Sequence, residues 1–186
     1  QGVDVSEWQR EIRWQEVADG GIDFAVIRCG YRRYVSGSLE QDTFFEENYS
    51  AAGTAGLRRG VYFFSQAVSV AEAREEAAFV LQMLAGRPLE LPIFYDWETV
   101  TAEEGRANSL DGKTVTACAA AFCRAFSSRA SVSAFASVFS RWIMVSIPFI
   151  IESPFLQGSG ADIDDHQHGS QQGQNGVELH GDAEHH

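Results

Sequence analysis

The chain has 186 residues, 45% hydrophobic and 12% aromatic, a composition that suits one globular domain with a sizeable core. Its formal charge is −12, and the 13 arginines and single lysine are scattered, which argues against nucleic acid as a partner. No apolar run reaches the roughly 18 residues that a membrane span needs, since the longest, residues 142–151, is broken by Ser146 and Pro148.

Gly2-Val3-Asp4-Val5-Ser6 reads as a short strand with one carboxylate between two valines, a costly placement unless Asp4 faces a polar cavity. No leader precedes it, so the expectation is a cytosolic or already processed chain. Ile12, Trp14 and Val17 mark a short helix that stops at Gly20-Gly21. Residues 24–30 form a second buried strand, followed by a tyrosine- and arginine-rich loop over residues 31–34. A helix over about 41–55 buries Phe44, Phe45 and Tyr49. Residues 60–64 give a third strand that ends in Ser65-Gln66.

Ser69 followed by Glu72 predicts a capping box, and Ala73, Ala77, Val80, Leu81 and Leu84 continue at helical spacing to Gly86. Then comes Leu91-Pro92-Ile93-Phe94-Tyr95-Asp96-Trp97-Glu98-Thr99, a buried strand that turns acidic at its end. Side chains alternate along a strand, so Asp96 and Glu98 point one way and Trp97 the other, with the two Cβ atoms roughly 6 to 7 Å apart. Like charges held that close push one pKa up, and one carboxyl can then keep its proton while the other stays ionised. Glycoside cleavage uses such a pair. Two solvated carboxylates just past a strand end fit the pattern equally well.

A small-residue helix over about 114–126 completes four strand and helix alternations. That rhythm predicts parallel strands with helical crossovers, either as an open sheet or as a barrel. Asp4, residues 28–32, Ser65-Gln66 and the Asp96/Glu98 pair all fall at or near C-terminal strand ends, where a (β/α) barrel gathers its site. No glycine-rich phosphate loop follows the first strand, so an irregular TIM-like barrel is expected, within the α/β class. Cys29, Cys118 and Cys123 are too few for a disulfide framework. On one helix Cys118 and Cys123 stand about 8 to 9 Å apart, beyond disulfide reach.

Asp4-Val5-Ser6-Glu7-Trp8-Gln9, Gly21 before Val26-Ile27-Arg28, residues 60–65 and residues 92–98 together resemble family 25 of the glycoside hydrolases, the lysozymes or N-acetylmuramidases. The resemblance covers residues 2–126 in order and spacing, with 127–186 divergent and 158–186 irregular in composition, all read as one catalytic domain. It implies a barrel of roughly eight strands, with fewer helices in its second half, that cuts the β-1,4 bond between N-acetylmuramic acid and N-acetylglucosamine in peptidoglycan. It further implies a secreted, monomeric enzyme with no cofactor, no metal and no membrane or nucleic-acid partner. Glu98 matches the general acid, Asp96 its partner that orients the substrate's 2-acetamido group, and Asp4 the acid of the first strand. Tyr62 and Trp97 match aromatic positions near the sugar cleft, with Tyr31 and Trp8 as weaker matches, and core packing suits Tyr62 and Trp97 at least as well.

Two departures stand out. Arg28-Cys29-Gly30-Tyr31-Arg32 lacks the acid that many members carry after the second strand. Beyond residue 127 the further strands are faint: residues 131–139 suggest a fifth, residues 147–152 a sixth, while Gln167 and Val177-Glu178-Leu179 echo closing segments. Asp164 or Glu178 would stand for the family's late aspartate. The histidines at 166, 168, 185 and 186 lack a third fixed ligand, so a solvated tail suits them better than a metal site. Two other functions stay open on the sequence: a wall-binding protein without turnover, and a divalent-metal hydrolase using Asp4, Asp96 and Glu98.

Overall fold

Residues 1–101, 105–127 and 143–146 are described by a computed structural model and belong to the first of two units of the chain, Gln1–Ser153. Strand β1 (Gly2–Val5) pairs in parallel with β2 (Phe24–Arg32), which pairs in parallel with β4 (Arg58–Ser65). Beyond β4 lie β5 (Ile93–Trp97) and β6 (Ile143–Ser146), both parallel. Apart from β3 (Leu39–Gln41), which is antiparallel to β2, spatial order follows chain order. That is the order of a singly wound (β/α) sheet, with no switch point.

Helices α1 (Trp14–Asp19), α2 (Phe45–Thr54), α3 (Val70–Leu84) and α4 (Gly112–Ser127) supply the crossovers. The core lies between the sheet and these helices. Val3, Val5, Ala25, Ile27, Val61, Phe63, Ile93 and Tyr95, alternate residues of four strands, are buried there with Phe45, Ala77, Val80 and Phe122. The Phe122 ring lies 4.9 Å from that of Tyr95 and 5.1 Å from that of Phe126, which pins α4 to β5. Helix α3 starts as the sequence predicts, with Ser69 Oγ accepting from the Glu72 amide. The reciprocal half of the capping box is absent, because the Glu72 carboxylate accepts from the Val68 amide and from Arg106 instead. The helix ends at Ala85 in the left-handed region, at φ 46°, and Gly86 follows at φ 79°.

Two sequence expectations need correction. Tyr31 and Arg32 are not loop but the end of β2, which is prolonged by its pairing with β3, Gly30 opposite Gln41 and Arg32 opposite Leu39. Helix α2 starts at Phe45 rather than near 41, because Asp42 turns the chain there: its side chain accepts from the Phe44 amide and its carbonyl from the Phe45 amide. The sheet of the described residues is open, with β1 and β6 at its ends. The strand beside β5 is Ile143–Ser146. Residues 131–139, 147–152 and 158–186, with Asp164, Gln167, Glu178 and the histidines, lie outside the described residues.

Candidate active site

The face of the sheet turned away from the helices carries the other alternate set. Asp4 leaves β1 on this face, as do Val26 and Arg28 on β2, Tyr62 and Phe64 on β4, and Phe94 and Asp96 on β5, as the register and the burial of their neighbours require. A bulge at Cys29 adds Tyr31 to the set. Arg28 pairs with Tyr62, but the register shifts so that Gly30 pairs with Phe63 and Tyr31 with Phe64. Two residues three apart in sequence thus share one face, and the Arg28 guanidinium sits 4.9 Å from the centre of the Tyr31 ring.

The carboxylates expected from the sequence come together electrostatically. Burial pushes Asp96 up to about 7, the charges of Glu98 and then Asp4 add to the rise, and Arg28 opposes it. Asp4 keeps an exposed edge, yet the protein around its carboxyl is enough for burial to raise it too. Glu98 is exposed one residue beyond β5, and its carbonyl accepts a 2.9 Å hydrogen bond from Gln66 Nε2. Gln66 is fully buried, so this bond fixes where the chain leaves the strand. Tyr62 stands among these groups: burial raises its hydroxyl, and the charges of Arg28, Asp4 and Asp96 all reach it.

The aromatic expectations divide. Tyr62 and Tyr31 are half-buried on the carboxylate face. Trp8, in a short 3₁₀ turn (Glu7–Gln9) just past β1, is 77% exposed at the same end of the sheet. Trp97 pairs with Ser65 on the opposite face and packs against the core, which is the packing alternative the sequence left open.

The sequence did not assign a role to Arg28. It is buried, and its Nε donates to Asp42 Oδ2 at 2.7 Å and its Nη2 to Glu7 Oε1 at 2.8 Å. Asp42 Oδ2 also accepts from the Glu7 amide, and Glu7 Oε2 accepts from Thr43 Oγ1. One guanidinium therefore ties the turn after β1 to β2 and to the start of α2, and leaves a positive charge beside Asp96. An arginine inside an apolar strand was the visible signal. Asp42, in a loop 14 residues away, gave none. Among the described residues no group of three or more His, Cys, Asp or Glu side chains is placed to hold a metal ion.

A parallel α/β sheet of consecutive strand order, with its acidic side chains at the C-terminal strand ends, defines the class of the protein. The family model of the glycosyl hydrolases family 25 matches residues 3–145, and the chain belongs to that family. It is 39% identical over 66 residues to Lysozyme M1 of Streptomyces globisporus, which covers 36% of this chain and 21% of that protein. The fold is similar to that of the modular autolysin LytC from Streptococcus pneumoniae, solved in complex with a synthetic peptidoglycan ligand. There the TM-score is 0.61 at 20% identity, covering 77% of this chain and 31% of LytC. It is also similar to the bacterial lysozyme from Streptomyces coelicolor, with a TM-score of 0.55 at 24% identity over 77% of this chain and 60% of that one. The chain spans about a fifth of the curated lysozyme that it matches.

Proposed function

We propose that the chain is a secreted muramidase that hydrolyses the β-1,4 bond between N-acetylmuramic acid and N-acetylglucosamine in peptidoglycan. Family membership supports the reaction class. The observation that carries the reading for this chain is Asp96, raised to about 7 by burial and by two neighbouring carboxylates on an open face of the sheet. In this reading Glu98, free at the rim, gives its proton to the leaving oxygen, while Asp96 accepts the N–H of the 2-acetamido group. The acetamido oxygen attacks the anomeric carbon as the glycosidic bond breaks, and water then opens the resulting ring and returns a proton to Glu98. Tyr62, between Asp4 and Asp96, would order the two acids. Tyr31 and Trp8 would offer rings to sugar faces. Closure of the sheet into an irregular barrel belongs to the same proposal.

One proton shared by Asp96 and Glu98 is enough for this chemistry. An acetamido N–H arriving at Asp96 would favour its ionised form. Mass spectrometry of wall digests provides the test. The expected result is new N-acetylmuramic acid reducing ends, lost in Glu98→Gln. If the variant releases them at the wild-type rate, Glu98 is not the acid. Retention on insoluble peptidoglycan without any bond cut would make the chain a wall-binding protein.

A further inference from the structure

On the far side of the core, α3 and α4 enclose a groove of about 1010 Å³. Arg74, Lys113 and Arg124 line it, no carboxylate does among the described residues, and its walls include Ala78, Ala117 and Ala120. For a chain of charge −12 this concentration is unusual. Most described cationic side chains are held in ion pairs, including Arg28, Arg32, Arg59, Arg87 and Arg106. Arg74, Lys113 and Arg124 are exposed and have no such partner among the described residues. The chain's one lysine is among them.

We propose that this groove binds a linear polyanion of phosphodiester-linked polyols. Both helices start from the edge of the sheet where Asp96 and Glu98 lie, so Arg74 and Lys113, near the two helix starts, stand at the end of the groove closer to that edge. Arg124 follows Lys113 by eleven residues, about 16 Å along the helix axis. Cations spaced along a narrow trough suit a thin chain with regularly repeating anions. The alanines between them offer methyl groups to the polyol carbons. Nucleic acid fits less well, because among the described residues no aromatic side chain lines the groove to stack a base. An acidic peptide fits less well too, because walls made of helices offer no free strand edge for backbone pairing.

The proposal depends on the muramidase reading in one respect: a bacterial wall is where such a polymer and the sugar chain occur together. The experiment titrates the whole chain with synthetic poly(glycerol phosphate), and repeats it with the triple variant Arg74→Gln, Lys113→Gln and Arg124→Gln. Wild-type binding should weaken steeply from about 50 to 200 mM salt. The triple variant should bind about tenfold more weakly, with an unchanged thermal midpoint because all three side chains are exposed. Equal binding by the two proteins, or no binding by the wild type at low salt, overturns the proposal. So does an oligodeoxynucleotide of matched charge that binds as tightly through the same three residues. Hydrolysis is measured separately on walls stripped of phosphodiester polymer. Loss of that activity would refute the muramidase reading alone, because the titration involves no bond cleavage.

Discussion

Asp96 receives three pushes toward its neutral form, from burial, Glu98 and Asp4, and one pull back from Arg28. The muramidase reading needs one proton on the Asp96/Glu98 pair. As pH rises through about 7 that proton leaves, the acid is gone, and the rate of wall hydrolysis should fall with a limb near that value. Asp4→Asn removes one of the charges that raise Asp96, so its pKa drops and the limb should move to lower pH. A limb that stays in place in the Asp4→Asn pH-rate profile would detach Asp4 from the pair. Asp96→Asn should lower the rate about a hundredfold or more, because an amide can no longer accept the acetamido N–H as a charged acceptor does. The carboxylates and their shared direction were legible in the sequence because strand alternation is local. Their partner Arg28 was visible only as an oddity, since what anchors it arrives from Asp42 and Glu7 on two other segments.

Strand β2 shows why element boundaries read less well than element order. The sequence places its end at Gly30, whereas the bulge at Cys29 and the pairing with β3 carry it to Arg32. The bulge also reverses which face each residue takes, so Tyr31 joins the carboxylate side and Arg32 turns toward α3. There Arg32 Nε donates to Glu76 Oε1 at 2.8 Å, and Glu76 Oε2 accepts from Ser65 Oγ at 2.7 Å. Tyr95 Oη lies 2.8 Å from Ser65 Oγ; the single serine proton goes to the carboxylate, so the tyrosine donates. This polar group fastens α3 beneath the ends of β2, β4 and β5. Glu76 falls within the apolar stripe of α3, a local misfit that signals a buried partner only once the fold is known. Glu76→Ala removes the buried carboxylate that meets Arg32, whose guanidinium keeps Gly37 O, Glu72 O and Glu75 as partners, and should cost about 2 to 3 kcal/mol in urea unfolding, with Glu76→Gln costing less because it keeps a hydrogen bond to Ser65. Burial raises Glu76 to about 7, so the folded state holds its proton more tightly than the unfolded chain. The stability this gives is complete below a glutamate's usual value and is lost as pH rises through about 7. Wild type should therefore lose stability over that interval relative to Glu76→Gln, and parallel pH curves for the two proteins would contradict the assignment.

For the molecule as a whole, strand order was legible because each strand and helix alternation is a local pattern and parallel neighbours require crossovers. The sequence pattern fades after residue 127, and β6 was not recognised as a strand because four residues carry too little periodicity to stand out from an apolar run. Net charge belongs to this scale as well. At −12 the chain is repelled by the carboxylates of a peptidoglycan wall, and salt screens that repulsion over a Debye length of about 10 Å at 0.1 M. On walls stripped of phosphodiester polymer, hydrolysis should speed up from low to moderate ionic strength. A rate that falls over this range would mean that a local attraction outweighs the overall charge. On walls that keep the polymer, the groove between α3 and α4 adds such an attraction, which salt weakens, so the rise should be smaller there. The triple variant at Arg74, Lys113 and Arg124 lacks that contact and is more acidic by three charges, so on walls that keep the polymer its rise should exceed that of the wild type, measured as turbidity loss at matched protein concentration.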